Sequence, residues 1–155
     1  MNTRTATADV TATATATTVA ATALTEASRA VILAYMDTLT TGDFDALSVF
    51  FAPDATWTLA GDLPLSRTWT GAEEILGEFV PAMVSHFVPE TMELEFEGVI
   101  ADSERVFAEW NTRALTKEGT RYDQHCLAVF TVRDGQIVAV REYFDTLHAK
   151  NVVFV

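Results

Sequence analysis

Glu142 is the residue whose type and place promise the most chemistry in this chain. Residues 120–132 and 136–146 read as the two strands of a hairpin joined by Val132-Arg133-Asp134-Gly135-Gln136. Gly135 suits the left-handed position of a three-residue loop. Val132 then pairs with Gln136, and even-numbered residues face even-numbered ones. The even face carries Tyr122, Gln124, Cys126, Ala128, Phe130, Val138, Val140, Glu142 and Phe144. The odd face includes Asp123, His125, Arg141 and Asp145. The even face is the more apolar and is expected to meet the core. Glu142 falls on it, opposite Cys126. A carboxylate there must be paired, protonated or used. Left unpaired it titrates nearer neutrality, which suits a general acid or base.

The next turn upstream, Thr116-Lys117-Glu118-Gly119-Thr120, has the same form. Pairing Thr116 with Thr120 sets Trp110 beside Cys126 and Ala108 beside Ala128. Trp110, Cys126 and Glu142 are thus expected to form one row across three strands. A one-residue slip would exchange the faces, bringing His125 in and turning Glu142 out.

Further candidates surround this carboxylate. Gln124 lies diagonal to Glu142 and could orient it or hold a carbonyl; alternatively it satisfies a strand end. Tyr35 could donate a hydrogen bond to a substrate oxygen. As a plain core tyrosine, its hydroxyl would meet backbone or water. No histidine shares the face of Cys126, which favours a small buried residue over a nucleophile. Trp57, Leu59, Trp110, Met36, Cys126 and Phe144 are expected to line an apolar cavity suited to a flat or lipophilic ligand. His86, His125 and His148 are scattered, so no metal site is expected. No zinc spacing, phosphate-binding glycine loop or G-x-S-x-G elbow is present, and no cofactor is expected.

The elements that must position these groups follow from periodicity. From Thr25, Ala27, Ala30, Val31, Ala34, Tyr35 and Leu39 recur at helical spacing, ending near Thr41-Gly42. Asp43 caps a second short helix with Phe44, Leu47, Val49 and Phe50 on its apolar side. Residues 55–59 alternate as a strand. Thr70-Gly71-Ala72-Glu73 reads as a capping box opening a third helix to about Val84, with Pro81 in its last turns. Residues 91–101, 104–116, 120–132 and 136–146 read as consecutive strands. Helices first and an antiparallel meander afterwards predict an α+β fold.

The whole is 155 residues, enough for one domain with a substantial core. A flexible Thr/Ala-rich tail is expected at 1–24 and a single domain at 25–155. The net charge of −12 argues against nucleic acid or an anionic membrane as partner. No apolar run is read as long enough for a membrane span. A single cysteine excludes an intrachain disulfide and fits a cytoplasmic location.

Several strings resemble the nuclear-transport-factor-2-like superfamily. They are residues 35–43 (YMDTLTTGD), 51–57 (FAPDATW), 71–75 (GAEEI), 129–137 (VFTVRDGQI) and 141–145 (REYFD). The superfamily includes ketosteroid isomerase, limonene-epoxide hydrolase and the SnoaL-like polyketide cyclases. The resemblance implies a cone: a curved antiparallel sheet wrapped around about three N-terminal helices, enclosing an apolar pocket. Tyr35 falls where the isomerase places an oxyanion-donating tyrosine. The isomerase's base falls at Leu59 and its second oxyanion carboxyl near Ala128, so neither is kept. The hydrolase's water-holding tyrosine and asparagine fall at Trp57 and Leu59, and its arginine and adjacent aspartate near Ala108 and Trp110. Its last-strand aspartate, like that of the cyclases, falls at Glu142. The implied activity is cofactor-free acid–base chemistry of cyclase or isomerase type on a small lipophilic metabolite such as a polyketide or terpenoid. Epoxide hydrolysis and non-catalytic binding of a hydrophobic ligand are the alternatives. The odd face, with Leu127, Val129, Ile137 and Tyr143, suits a homodimer.

Overall fold

The computed structural model describes the backbone of residues 4–155 and the side chains from residue 17 onward. The predicted tail at 1–24 lies outside the fully described residues as far as position 16. From there the chain is already helical. Helix α1 runs Arg4–Thr40. Its segment Thr17–Thr40 is apolar and long enough, by length and composition, to cross a membrane. The C-terminal part of the segment is core: Ser28, Ile32, Tyr35 and Met36 are buried at spacings of three and four. Burying side chains of the size of Ile32 and Met36 contributes about 1.5–3 kcal/mol each. Thr25 Oγ1 accepts a hydrogen bond from the Ser103 amide at 2.9 Å, pinning the helix to a distant turn.

A 3-10 helix, Asp45–Phe50, follows. Phe44 rather than Asp43 takes its N-cap position, and Asp43, one residue earlier, accepts from the Ala46 amide at 3.1 Å. Leu47 is its buried residue, whereas Val49, expected on the apolar side, is exposed. The third helical segment is broken into α2 (Ala72–Glu74), a π turn (Ile75–Phe79) and α3 (Val80–Val84). Pro81 has no N–H to give, and the wide turn just before it accommodates that loss within a continuous rod. The expected capping box does not form, and Gly71 takes the N-cap position without a side-chain bond. Glu74, rather than Glu73, accepts from the Thr70 amide and also pairs with Arg67.

Six strands form one sheet in the order β2-β1-β6-β5-β4-β3. They are β1 (Phe51–Leu59), β2 (Thr68–Thr70), β3 (Glu93–Asp102), β4 (Arg105–Leu115), β5 (Arg121–Arg133) and β6 (Gln136–Phe144). The sheet is curved and unclosed, the α+β cone that the sequence implies. Four strands form the expected meander. The β1–β6 pair is parallel, so the sheet is mixed. A closing helix, α4 (Thr146–Val152), was not foreseen; Asp145 caps it through the amides of Leu147 and His148.

The last hairpin corrects the expected register. Asp134 and Gly135 both have positive φ, 51° and 77°, as a two-residue type I′ turn requires. Arg133 therefore pairs with Gln136 and Val132 with Ile137. An irregularity follows, and from Thr131↔Ala139 onward odd residues again pair with odd and even with even. The extra residue is a β-bulge at Val138. It turns Ile137, expected on the outer face, fully into the core. Beyond it, Glu142 keeps its inward face but pairs with Ala128, and Phe144 pairs with Cys126. The predicted row of Trp110, Cys126 and Glu142 is thus two rows. Trp110–Cys126–Phe144 is one, and Ala108–Ala128–Glu142 the other.

Candidate active site

Between the helices and the concave sheet lies a cavity of about 440 Å³. Its inner wall is aromatic: Tyr35, Trp57, Phe79, Trp110, Tyr122 and Phe130 are buried and line it. Met83 and Met92 add adaptable apolar surface. Its mouth is marked by the exposed lining residues Thr40, Thr41, Gly42, Pro89 and Glu93. The end of α1, the end of α3 and the start of β3 meet there.

Glu142 is the carboxylate of the inner wall. The β6 strand delivers it, and its neighbours on the row, Ala108 and Ala128, offer only methyl groups. Nothing on that row can neutralise it. Leu59 pairs with it on β1, and Trp57 stands two residues earlier on the same face. The Trp57 Nε1–H donates to Glu142 Oε2 at 3.1 Å. Among the described residues, Oε1 has no hydrogen-bond partner. Burial pushes the Glu142 carboxyl up to about 7, opposed only by the Trp57 hydrogen bond. Near neutral pH the group is divided between its two protonation states, the condition in which a side chain can take or give a proton.

Tyr35 also lines the cavity. Burial, and then the Glu142 charge, hold its hydroxyl well above the ordinary phenol range, so it stays a neutral donor. Among the described residues its hydroxyl makes no hydrogen bond, while its ring packs edge-on against Phe50 and Phe51. Tyr122, unassigned by sequence reasoning, is a second phenol on the wall. Burial raises its pKa first, with Cys126, Glu142 and Asp145 adding to it. Its inward parity was visible in the sequence; its reach toward the cavity depends on the curvature of β5.

Gln124 does not line the cavity. It is buried, and its amide Nε2 donates to the Asp145 carbonyl at 2.9 Å. It satisfies a strand end, the second of its two expected uses, and is not brought together with Glu142. Cys126 lines the wall with a thiol that burial, and then Glu142, push far above its usual range. Trp57, Trp110 and Phe144 line the cavity as expected. Met36 and Leu59 are in the core behind it. The extra lining from Leu39, Phe44, Phe79, Met83 and Leu94 comes from helix ends and an edge strand that single-strand parity does not reach.

His125 is exposed on the outer face, away from Glu142. There Glu97, Glu109 and His125 bring three potential ligand atoms within 4.8 Å of one another, a grouping not foreseen. The β3 bulge between Phe96 and Gly98 sets Glu97 beside Glu109. All three are exposed, and the Asn111 amide already donates to Glu97. His86 packs edge-on against Phe154. His148 stacks on Tyr122, with ring centroids 5.4 Å apart.

The SnoaL-like domain family matches residues 32–140, a span that ends within β6, just before Glu142, and holds most of the cavity lining. The chain belongs to that family. Solved structures share the fold at low identity. Bal32a, from a soil-derived mobile gene cassette, is 23% identical, with a TM-score of 0.71 over 81% of this chain and 95% of its own. TerC, co-crystallised with polyporic acid, is 21% identical, with a TM-score of 0.72 over 83% and 99%. A putative SnoaL-like polyketide cyclase from Jannaschia sp. CCS1 is 17% identical, with a TM-score of 0.70 over 84% and 93%. No curated protein sequence matches the chain.

Proposed function

We propose that the protein is a cofactor-free acid–base enzyme of cyclase or isomerase type, acting on a small lipophilic metabolite such as a polyketide or terpenoid. The observation that carries this reading is the placement of Glu142. It is a carboxyl titrating near 7 in an aromatic cavity, with Oε2 held by Trp57 and Oε1 free. Glu142 would take a proton from a carbon acid and return it at another atom. The neutral Tyr35 hydroxyl would donate to the oxygen on which charge develops. The aromatic wall would orient a flat substrate and exclude water. The SnoaL-like assignment is consistent with this chemistry.

A second reading is a non-catalytic carrier, favoured by how few polar atoms the cavity offers. Epoxide opening, with Glu142 activating water, is a third. Self-association through the outer sheet face, where Tyr143 is 43% exposed, belongs to the same set of proposals. The test is mass-resolved turnover of enolisable polycarbonyl compounds and lipophilic epoxides by wild type and Glu142→Gln. Glutamine preserves shape and can still accept from Trp57. Conversion of a polycarbonyl by wild type alone is the expected result. Conversion of epoxides alone would select hydrolysis, and equal activity in both proteins would remove Glu142 from the mechanism.

A further inference from the structure

The ionisable lining of the cavity has one sign. Glu142 lies inside and Glu93 at the mouth, and among the described lining residues there is no Lys, Arg or His. Aromatic rings, whose π-faces carry partial negative charge, line the same cavity. Trp57 and Phe130 stand 6.4 Å apart by ring centroids, Trp57 and Phe79 5.6 Å, and Tyr35 and Phe130 5.6 Å. Such faces attract cations electrostatically. The chain as a whole adds a net charge of −12.

We propose that the cavity selects a lipophilic cation: an ammonium group on an aromatic or branched apolar body, with its charge beside the free Oε1 of Glu142. The inference rests on the preceding reading's placement of the ligand in this cavity and narrows its substrate class to metabolites that carry a cationic nitrogen. An uncharged ligand strips water from Glu142 and supplies no countercharge, so the carboxylate must take up a proton or stay uncompensated. An anion meets like charge at the mouth and again inside. A cation replaces the lost water with an opposite charge, and its methyl or methylene shell packs on the rings of Trp57 and Phe130. The apolar wall gives affinity to any hydrophobic guest, and Glu142 decides among guests of equal shape.

Three probes of nearly equal shape separate these contributions: phenyltrimethylammonium, tert-butylbenzene and benzenesulfonate. Their binding is read from the fluorescence of Trp57 and Trp110, which line the cavity, at pH 8. The cation is expected to bind at least tenfold more tightly than the hydrocarbon, with the sulfonate weakest. In Glu142→Gln the cation's advantage is expected to fall to threefold or less while tert-butylbenzene is little changed. Glu142→Asp, which keeps the charge, is expected to retain the preference. Equal or tighter binding of the hydrocarbon, binding of the sulfonate as tight as the cation's, or no saturable binding of the cation would overturn the proposal. Its failure is distinguishable from failure of the catalytic reading. Loss of turnover in Glu142→Gln without any cation preference leaves catalysis standing and removes charge selection. A cation preference with turnover independent of Glu142 does the reverse.

Discussion

The indole of Trp57 on β1 donates to Glu142 Oε2 on β6 across the one parallel pair of the sheet. The bond holds one carboxylate oxygen and leaves the other to the cavity. It also favours the charged form, against burial, which favours the neutral one. Removing the donor should therefore move the carboxyl further up. Trp57→Phe is expected to raise the midpoint of Glu142 above about 7, read by side-chain carboxyl NMR across a pH titration. A midpoint that stays or falls would show that the indole does not stabilise the carboxylate.

The same carboxyl makes stability depend on pH. Its midpoint is about 7 in the folded protein against an ordinary 4.5. Across that interval the folded protein holds a proton that the unfolded chain has released. Stability from this group therefore falls as pH rises from 4.5 to about 7, and levels off above. The full effect corresponds to at most about 3 kcal/mol. Glu142→Gln should be more stable than wild type at pH 8 by up to about that amount. At pH 4 the two should be close. Urea denaturation at both pH values measures the difference.

Cys126 is expected to be chemically quiet despite lining the cavity. Burial and the nearby Glu142 charge keep the thiol protonated, and the protonated thiol is not the nucleophile. N-ethylmaleimide at pH 8 should modify the folded protein at least a hundredfold more slowly than the urea-unfolded chain, which should take one equivalent at its single cysteine.

The bulge at Val138 makes a prediction contrary to simple alternation. Ile137 is fully buried and Val138 only partly so. Ile137→Ala should cost about 2–5 kcal/mol, as a large-to-small change in a packed core does. Val138→Ala should cost about 1 kcal/mol or less. Equal costs, or the reverse order, would contradict the register after the turn.

Much of this arrangement is legible in residue order. The four meander strands, the inward face of Glu142 and the pairing of Trp110 with Cys126 follow from alternation and two glycine turns. What failed was the pairing of Glu142 itself. Asp134 joins Gly135 in the left-handed conformation, which aspartate tolerates better than most residues, so the loop has two residues, and a bulge then restores parity at a displaced register. Alternation records faces but does not count a bulge, and so it found the right wall and the wrong neighbour. Gln124 was legible as to face but not as to use: inward parity rightly buried it, and of its two expected uses the carbonyl of Asp145 takes its amide. The parallel contact of β1 with β6, which brings Trp57 to Glu142, joins segments some eighty residues apart and has no local signal.

The account's central claim is that Glu142 moves a proton at carbon. Its most direct test is solvent-deuterium exchange, followed by NMR in D₂O, at the acidic carbon of a polycarbonyl ligand shown to bind. Wild type should catalyse the exchange, and Glu142→Gln should be slower by a factor of about 100 or more, the usual contribution of a general base. Exchange at equal rates in the two proteins, or at the uncatalysed rate in both, would contradict the claim.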